Sequence, residues 1–268
     1  WTGSADGSVK LTVLNGETNF NKAGLGNVIG AFLHDGKTYL AVASSTLTGP
    51  QFYPLTASGT ATNRGEVKVP LHRAPVSTIL ALNDTATVTG ATDGSLVAIF
   101  KGGRMVNLQP GSPVISLAKA GYAPNNTRFL ALTQNGNLMW FDVQAGRALY
   151  SEPVPGATAV GWIGEANANQ ARWAVGYSDG QIQILDSIKG RGTPVRSYLK
   201  GHTGAITALT GFKDPYLVSG SADGSVKLWD TSTGKELKSF NVGKPVASVA
   251  ALATAQNVVK ISAGTNDG

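Results

Sequence analysis

Residues 201 to 240 read GHTGAITALTGFKDPYLVSGSADGSVKLWDTSTGKELKSF, and this stretch decides the fold. It resolves into four short segments, AITALTG, YLVSGS, SVKLWD and ELKSF, in which β-branched and apolar residues alternate with small or polar ones. Asp223-Gly224 and Thr233-Gly234-Lys235 stand between the later segments, and such pairs supply the positive φ that tight hairpin loops require. Four strands in so short a span describe an antiparallel meander, whose strands are called a to d in chain order.

The same unit recurs along the chain. TGSADGSVKL at residues 2–11 and SGSADGSVKL at residues 219–228 agree at nine of ten positions. With the Asp-Gly turn as a ruler, copies fall at Asp6, Asp93, Asp179, Asp223 and Asp267, with Asn135-Gly136 as a degenerate copy and Thr48-Gly49 as a weak one. The repeat length is about 44 residues, which is a period of whole supersecondary units. A four-stranded sheet cannot bury both faces by itself, so successive copies are expected to stack face to face around an axis.

Composition agrees. Of 268 residues, 34 are Gly, 42% are apolar and only 14% are charged, which suits short strands and tight turns and argues against disorder. The absence of Cys excludes disulfide scaffolds, thiolate metal sites and cysteine nucleophiles. The longest nearly uncharged apolar stretch, Pro245 to Ala255, is too short for a membrane-spanning helix, so no transmembrane segment is expected.

Residues 201 to 230, with their Gly-His and Trp-Asp pairs, resemble a WD40 repeat. Blades at 72–108, 112–150 and 157–199 follow the period and the turns, whereas 25–70 is degenerate. The resemblance implies an all-β propeller of four-stranded antiparallel blades. Seven turns favour seven blades over a six-bladed ring in which terminal strands share one blade. Residues 1–268 are then expected to form a single propeller domain, a portion of a longer chain whose first blade lacks strand a and whose last lacks strands c and d.

The resemblance also implies a buried hydrogen-bonded tetrad, which maps onto His202, Ser219, Asp223 and Trp229. The blade at 72–108 repeats the first three members at the same spacing as His72, Thr89 and Asp93, with Ile99 in the place of the tryptophan. Phe141, Leu185 and Thr12 take that place in other blades.

Ser, His and Asp together have the composition of a nucleophilic triad, but two copies at repeat spacing point to a structural tie between loop and turn. The three histidines share no ligand motif, and lone acids such as Asp35 and Asp84 sit at expected hairpin turns, so no metal or other cofactor is expected. Glu17, Glu66, Glu165 and Glu236 stand near turns or outer strands without apolar flanks, so paired-carboxylate chemistry is not expected. Trp140 and Trp173 lie in strand patterns and are read as core, whereas Trp162, just before a turn expected at 164–170, is read as partly exposed.

The net charge is +6, but the basic residues form no run and no aromatic set interleaves them, so nucleic acid is not the expected partner. The expected activity is non-enzymatic: a rigid loop surface for other proteins, or a structural subunit of a larger assembly. In a WD40-like ring the d-to-a connections and the b-to-c turns share one end. Ala5, Thr92, Gln134, Ser178, Ala222 and Asn266, beside Arg73, Lys200 and Lys244, are therefore expected to form a small, polar, mildly basic rim suited to acidic or phosphorylated segments. The resemblance implies an intracellular setting. Low charge and absent cysteine motivate the alternative of a secreted or periplasmic ligand-binding propeller with hydrolytic or lectin-like activity.

Overall fold

The structure is a computed structural model that describes residues 72–83, 85–100, 104–121, 126–167, 170–188, 195–253 and 259–265, together with the backbones of seven strands before residue 72. Every regular element among the described residues is a β-strand, and all the pairings described between strands are antiparallel.

The strands form sheets in chain order. The first sheet has three strands, β1 (Thr2–Gly3), β2 (Val9–Thr12) and β3 (Thr18–Lys22), and the second has four, β4 (Val28–His34), β5 (Lys37–Ala43), β6 (Gln51–Pro54) and β7 (Val67–Lys68). Four-stranded meanders follow: β8 (Val76–Asn83) to β11 (Met105–Leu108) by way of β9 (Ala86–Ala91) and β10 (Leu96–Phe100), then β12 (Val114–Lys119), β13 (Arg128–Thr133), β14 (Asn137–Asp142) and β15 (Arg147–Pro153). The fifth sheet holds β16 (Ala157–Asn167), β17 (Gln170–Tyr177), β18 (Ile182–Ile188) and β19 (Val195–Leu199). The sixth holds β20 (Ile206–Lys213), β21 (Tyr216–Ser221), β22 (Ser225–Asp230) and β23 (Lys235–Asn241), and β24 (Val246–Ala253) and β25 (Val259–Thr265) form a last pair. The segments YLVSGS and SVKLWD coincide with β21 and β22 to the residue, because the Asp-Gly turn between them fixes the register at Gly220 opposite Val226.

The chain divides into two compact units, one built mainly on Trp1–Leu117 and Ala123–Glu152, the other on Ala118–Tyr122 and Pro153–Asn266. In the first unit, Val88, Leu96, Val114, Phe129 and Phe141 form a buried core, with the two phenyl rings stacked at 5.4 Å between centroids. In the second, Ile163, Ile184, Ile206, Leu217 and Trp229 form one cluster and Val218, Val226 and Val246 another.

Two devices seat the third sheet on the fourth, the fifth on the sixth and the sixth on the last pair. A glycine in strand b leaves a socket that the first residue of the following sheet fills: Gly90 for Val114, Gly176 for Ile206 and Gly220 for Val246. Beside each socket, strand a opens with a register shift, and the extra residue reaches across. Thus the Ser77 hydroxyl donates to the Val114 carbonyl at 3.2 Å, Thr158 to Ile206 at 2.5 Å and Thr207 to Val246 at 2.5 Å.

Trp162 departs from its expected exposure. β16 runs on to Asn167 instead of turning at 164, so Trp162 stands within a strand opposite Trp173. The two rings meet at 5.3 Å and Trp162 is only 7% exposed. Trp173 is buried and Trp140 half-buried.

The sockets give a direct test. A methyl on Gly220 would stand 2.5 Å from Val246 Cγ1 and 2.9 Å from Val249 Cγ1. Gly220→Ala should therefore destabilise the chain by about 2 kcal/mol through overpacking. Gly111 has φ +74° but open space around it, so Gly111→Ala should cost only about 1 kcal/mol of backbone strain. Urea midpoints of the two variants check the order, and equal midpoints would refute the socket.

Candidate functional site

In the third to sixth sheets the d-to-a connection and the b-to-c turn meet at one end of the sheet, and backbone atoms tie them. The residue before each Xaa-Gly step donates its N–H to a carbonyl in the connection of its own sheet: Thr92 to Pro75 at 3.0 Å, Gln134 to Pro113 at 2.8 Å, Ser178 to Gly156 at 2.9 Å and Ala222 to Ala205 at 2.8 Å. The glycine that follows has positive φ in all four turns, Gly94, Gly136, Gly180 and Gly224. The turns also touch the next sheet within each unit. A methyl on Gly94 would press on Ser112 and Pro113, one on Gly180 on the His202 and Gly204 carbonyls, and one on Gly224 on Lys244.

Side chains reinforce this frame to different degrees. In the sixth sheet, His202 Nδ1 lies 3.0 Å from Asp223 Oδ2, His202 Nε2 lies 2.7 Å from Ser219 Oγ, and Trp229 Nε1 donates to Ser219 Oγ at 2.8 Å. Donor and acceptor types fix the protons. Asp223 can only accept, so Nδ1 carries hydrogen. The indole can only donate, so the Ser219 hydroxyl spends its own proton on Nε2. Asp223 also accepts from the Thr203 and Ser225 backbone N–H groups and from the Ser225 hydroxyl. Its turn is exposed while its carboxylate is tucked inward, 12% exposed.

Burial alone would raise the Asp223 carboxyl, but the Ser225 hydroxyl, the two backbone donors and His202 together hold it far below the usual carboxylate range. Burial lowers the His202 imidazole, with Asp223 opposing, and lowers His72 in the same way against Asp93.

The third sheet is built differently. His72 Nε2 meets Thr89 Oγ1 at 2.9 Å, but Nδ1 meets the Ser95 hydroxyl, which in turn donates to Asp93. Ser95 therefore relays between imidazole and carboxylate, and the three residues of the sequence pattern are not in one direct chain. With Ile99 in the tryptophan's place, the Thr89 hydroxyl has the carbonyl of Val97, its cross-strand partner, as a second acceptor at 3.5 Å.

Two further arrangements escaped the sequence pattern. In the fifth sheet the Tyr177 hydroxyl donates to Gln183 Oε1 and Gln183 Nε2 donates to the Tyr198 hydroxyl, both at 2.9 Å. Gln183 is 2% exposed, and its place opposite Val175 matches that of Lys227 opposite Ser219, so only the register could have revealed it. In the fourth sheet Thr133, fully buried, donates to Asn135 Oδ1 at 2.6 Å and accepts from the Asn137 backbone at 3.1 Å.

Of the rim residues read from the sequence, Arg73, Thr92 and Gln134 in the first unit and Ser178, Lys200, Ala222 and Lys244 in the second are exposed. Ala5 and Asn266 lie outside the described residues. The cations do not stand alone, because Asp93, Asp179 and Asp223 occupy the same turns. Each carboxylate accepts from donors of its own turn, as Asp179 does from Gln181, but Asp93 and Asp179 stay exposed. Among the described residues no three His, Asp or Glu side chains gather as a metal would require.

A family model for the WD domain, G-beta repeat, matches residues 192–230. The WD40 β-propeller domain of Doa1, known from a crystal structure, superposes with a TM-score of 0.74 over 99% of this chain and 85% of that one, at 15% identity. Ribosome biogenesis protein ytm1 of Aspergillus terreus is 35% identical over 80 residues, 28% of this chain and 16% of its own. The BOP1 homologue of Arabidopsis thaliana, also a ribosome biogenesis protein, is 42% identical over 52 residues, covering 19% and 7%. A probable E3 ubiquitin ligase complex SCF subunit, sconB of Aspergillus clavatus, is 50% identical over 41 residues, covering 15% and 6%. The matches span less than a fifth of the length of these curated relatives.

Asp223 should be the costliest rim residue to remove. Asp223→Ala leaves His202 Nδ1 and the turn donors without their shared acceptor and should lower stability by about 2 kcal/mol. The sign with pH follows from the depressed carboxyl: its contribution is complete above the ordinary value of 3.8 and is lost as pH falls below it. Denaturant midpoints from pH 7 to pH 3 should fall more steeply for the parent than for Asp223→Asn, and parallel profiles would refute the assignment.

Proposed function

We propose that this chain, which carries a WD40-like repeat at residues 192–230 and shares the fold of a WD40 β-propeller, is a non-enzymatic scaffold, a subunit that docks other proteins on its rim of turns and connections. The observation that carries this reading is the inward commitment of the reactive-looking groups. Ser219 is fully buried between an imidazole and an indole, so it has no approach for a substrate, and Asp223 is saturated by donors. What faces outward at the same end is short turn residues with Arg73, Lys200 and Lys244.

Such a surface binds by geometry and charge rather than by bond-making. The turns are held by backbone ties, so a partner has little loop ordering to drive. With the turn carboxylates taken up by hydrogen bonds within their own turns, the charged hydrogen-bond donors left beside them are guanidinium and ammonium groups, which suit an acidic or phosphorylated protein segment. The relatives that match parts of the chain carry names of ribosome biogenesis proteins and of a ubiquitin ligase subunit, which supports a subunit of an intracellular assembly over a secreted lectin or hydrolase.

Affinity purification of the tagged chain, with and without Arg73→Glu, Lys200→Glu and Lys244→Glu, tests the rim. The triple variant should lose its co-purifying proteins while its melting temperature stays almost unchanged, and capture by the parent should weaken as salt rises. Retention of those proteins by the triple variant, with loss on altering Asn83 and Asp84 or Lys213 and Asp214 instead, would place docking at the opposite turns.

A further inference from the structure

We propose that Asn135-Gly136 is a latent deamidation site, and that Thr133 holds its two reacting groups apart for as long as the turn is closed.

The chemistry belongs to the dipeptide. When the Gly136 amide gives up its proton, its nitrogen can attack Asn135 Cγ and form a new C–N bond. The bond from Cγ to the side-chain nitrogen breaks, ammonia leaves with the proton, and a five-membered succinimide remains. Water opens that ring at either carbonyl, to Asp or to isoAsp. Glycine puts no Cβ in the path of the attack, so Asn-Gly is the most open of such steps. Among the described residues, Asn135 is the only asparagine followed by glycine.

The other three described turns show what Thr133 changes. In the third, fifth and sixth sheets, the turn's Asp folds back and its Oδ1 accepts the N–H two residues on. Ser95 donates to Asp93 at 2.9 Å, Gln181 to Asp179 at 3.0 Å and Ser225 to Asp223 at 2.8 Å. Such an Asx turn lays the side chain over the glycine in between. In the fourth sheet the Asn137 N–H donates instead to Thr133 Oγ1 at 3.1 Å, and the Thr133 hydroxyl donates to Asn135 Oδ1 at 2.6 Å. A hydroxyl is therefore inserted between the carboxamide and the N–H that the side chain would otherwise cap.

Thr133 also holds the nucleophile. The Gly136 N–H donates to its carbonyl at 2.9 Å, a bond that Gly94, Gly180 and Gly224 make in their own turns. The backbone arm is thus common to the four turns, and the hydroxyl arm sets this one apart. Thr133 is fully buried, so its side chain has no room to swing out. Asn137 Nδ2 stands 3.3 Å from the same Oδ1 as a second donor. Donors on Oδ1 polarise the carbonyl toward attack, but the nitrogen must first leave the Thr133 carbonyl, so opening of the turn precedes the chemistry.

The product Asp fits the same place. Both donors to Asn135 Oδ1 serve a carboxylate as well as an amide, and Asp-Gly is the step that the other three turns use. Conversion adds one negative charge to the rim at a turn that starts neutral.

Peptide mapping by mass spectrometry tests this on the whole chain, incubated at mildly alkaline pH either native or unfolded in urea, with Asp and isoAsp products separated. Asn15-Gly16 is a matched reference, and in urea the two steps should convert at similar rates. Native Asn135 should convert at least about ten times more slowly than in urea, because its reaction waits on local opening. Thr133→Val keeps the shape and the carbonyl arm but removes the hydroxyl, and it should speed conversion of native Asn135 several-fold. Thr133→Ser, which keeps the hydroxyl, should stay near the parent, and Thr133→Ala repeats the test if Thr133→Val does not fold. Equal rates at Asn135 in the native and urea-unfolded parent would overturn the proposal. So would a native rate left unchanged or slowed by loss of the hydroxyl, or a Thr133→Ser variant as fast as the one that lacks it.

Discussion

The rim of the third to sixth sheets depends on one short backbone bond in each, from the N–H just before the Xaa-Gly step to a carbonyl of the connection that leads into the sheet. It closes a loop that would otherwise leave a donor and an acceptor unpaired beside a packed sheet, and such groups are rarely left orphaned. The bond needs no particular side chain. It recurs with threonine, glutamine, serine and alanine as donors, so the sequence there can drift while the geometry stays.

The side-chain latch is an addition to that frame. Among the described residues only the sixth sheet has the full chain from indole to carboxylate, and the third routes it through Ser95. The fourth and fifth use a threonine with asparagines and a glutamine between tyrosines. Each solution keeps buried polar atoms paired, which matters more to folding than which atoms they are. The sockets at Gly90, Gly176 and Gly220 then bring neighbouring sheets close enough for turn and connection to interlock.

Much of this was legible. The Asp-Gly turns and the repeat of GSADGSVKL set strand boundaries and sheet order, because hairpin chemistry is local and is written at fixed offsets. The polar members His202, Ser219, Asp223 and Trp229 followed from the resemblance of residues 201–230 to a WD40 repeat, and spacing then carried the first three to His72, Thr89 and Asp93. Gln183 could not, since its role follows from cross-strand register and from Tyr198 on another strand. Trp162 misled for a related reason: Gly164 and Asn167 read as turn residues, whereas the pairing of β16 with β17 carries the strand through them, and close packing of Gly164 on Asp214 gives that glycine its use. Ser95 escaped although its spacing recurs: Ser225, likewise two residues after the Asp of its turn, lies 3.1 Å from His202 Nδ1 and donates to Asp223.

The central claim is that backbone ties hold the four described rim turns whether or not a side-chain latch is present. Native-state amide hydrogen exchange measures this at single residues. The amides of Thr92, Gln134, Ser178 and Ala222 should all be protected to the level of the strands beside them, with those of Gln134 and Ser178, which have no histidine latch, as slow as that of Ala222. Slow exchange confined to Ala222 and Thr92, with Gln134 and Ser178 exchanging as free surface turns do, would contradict it.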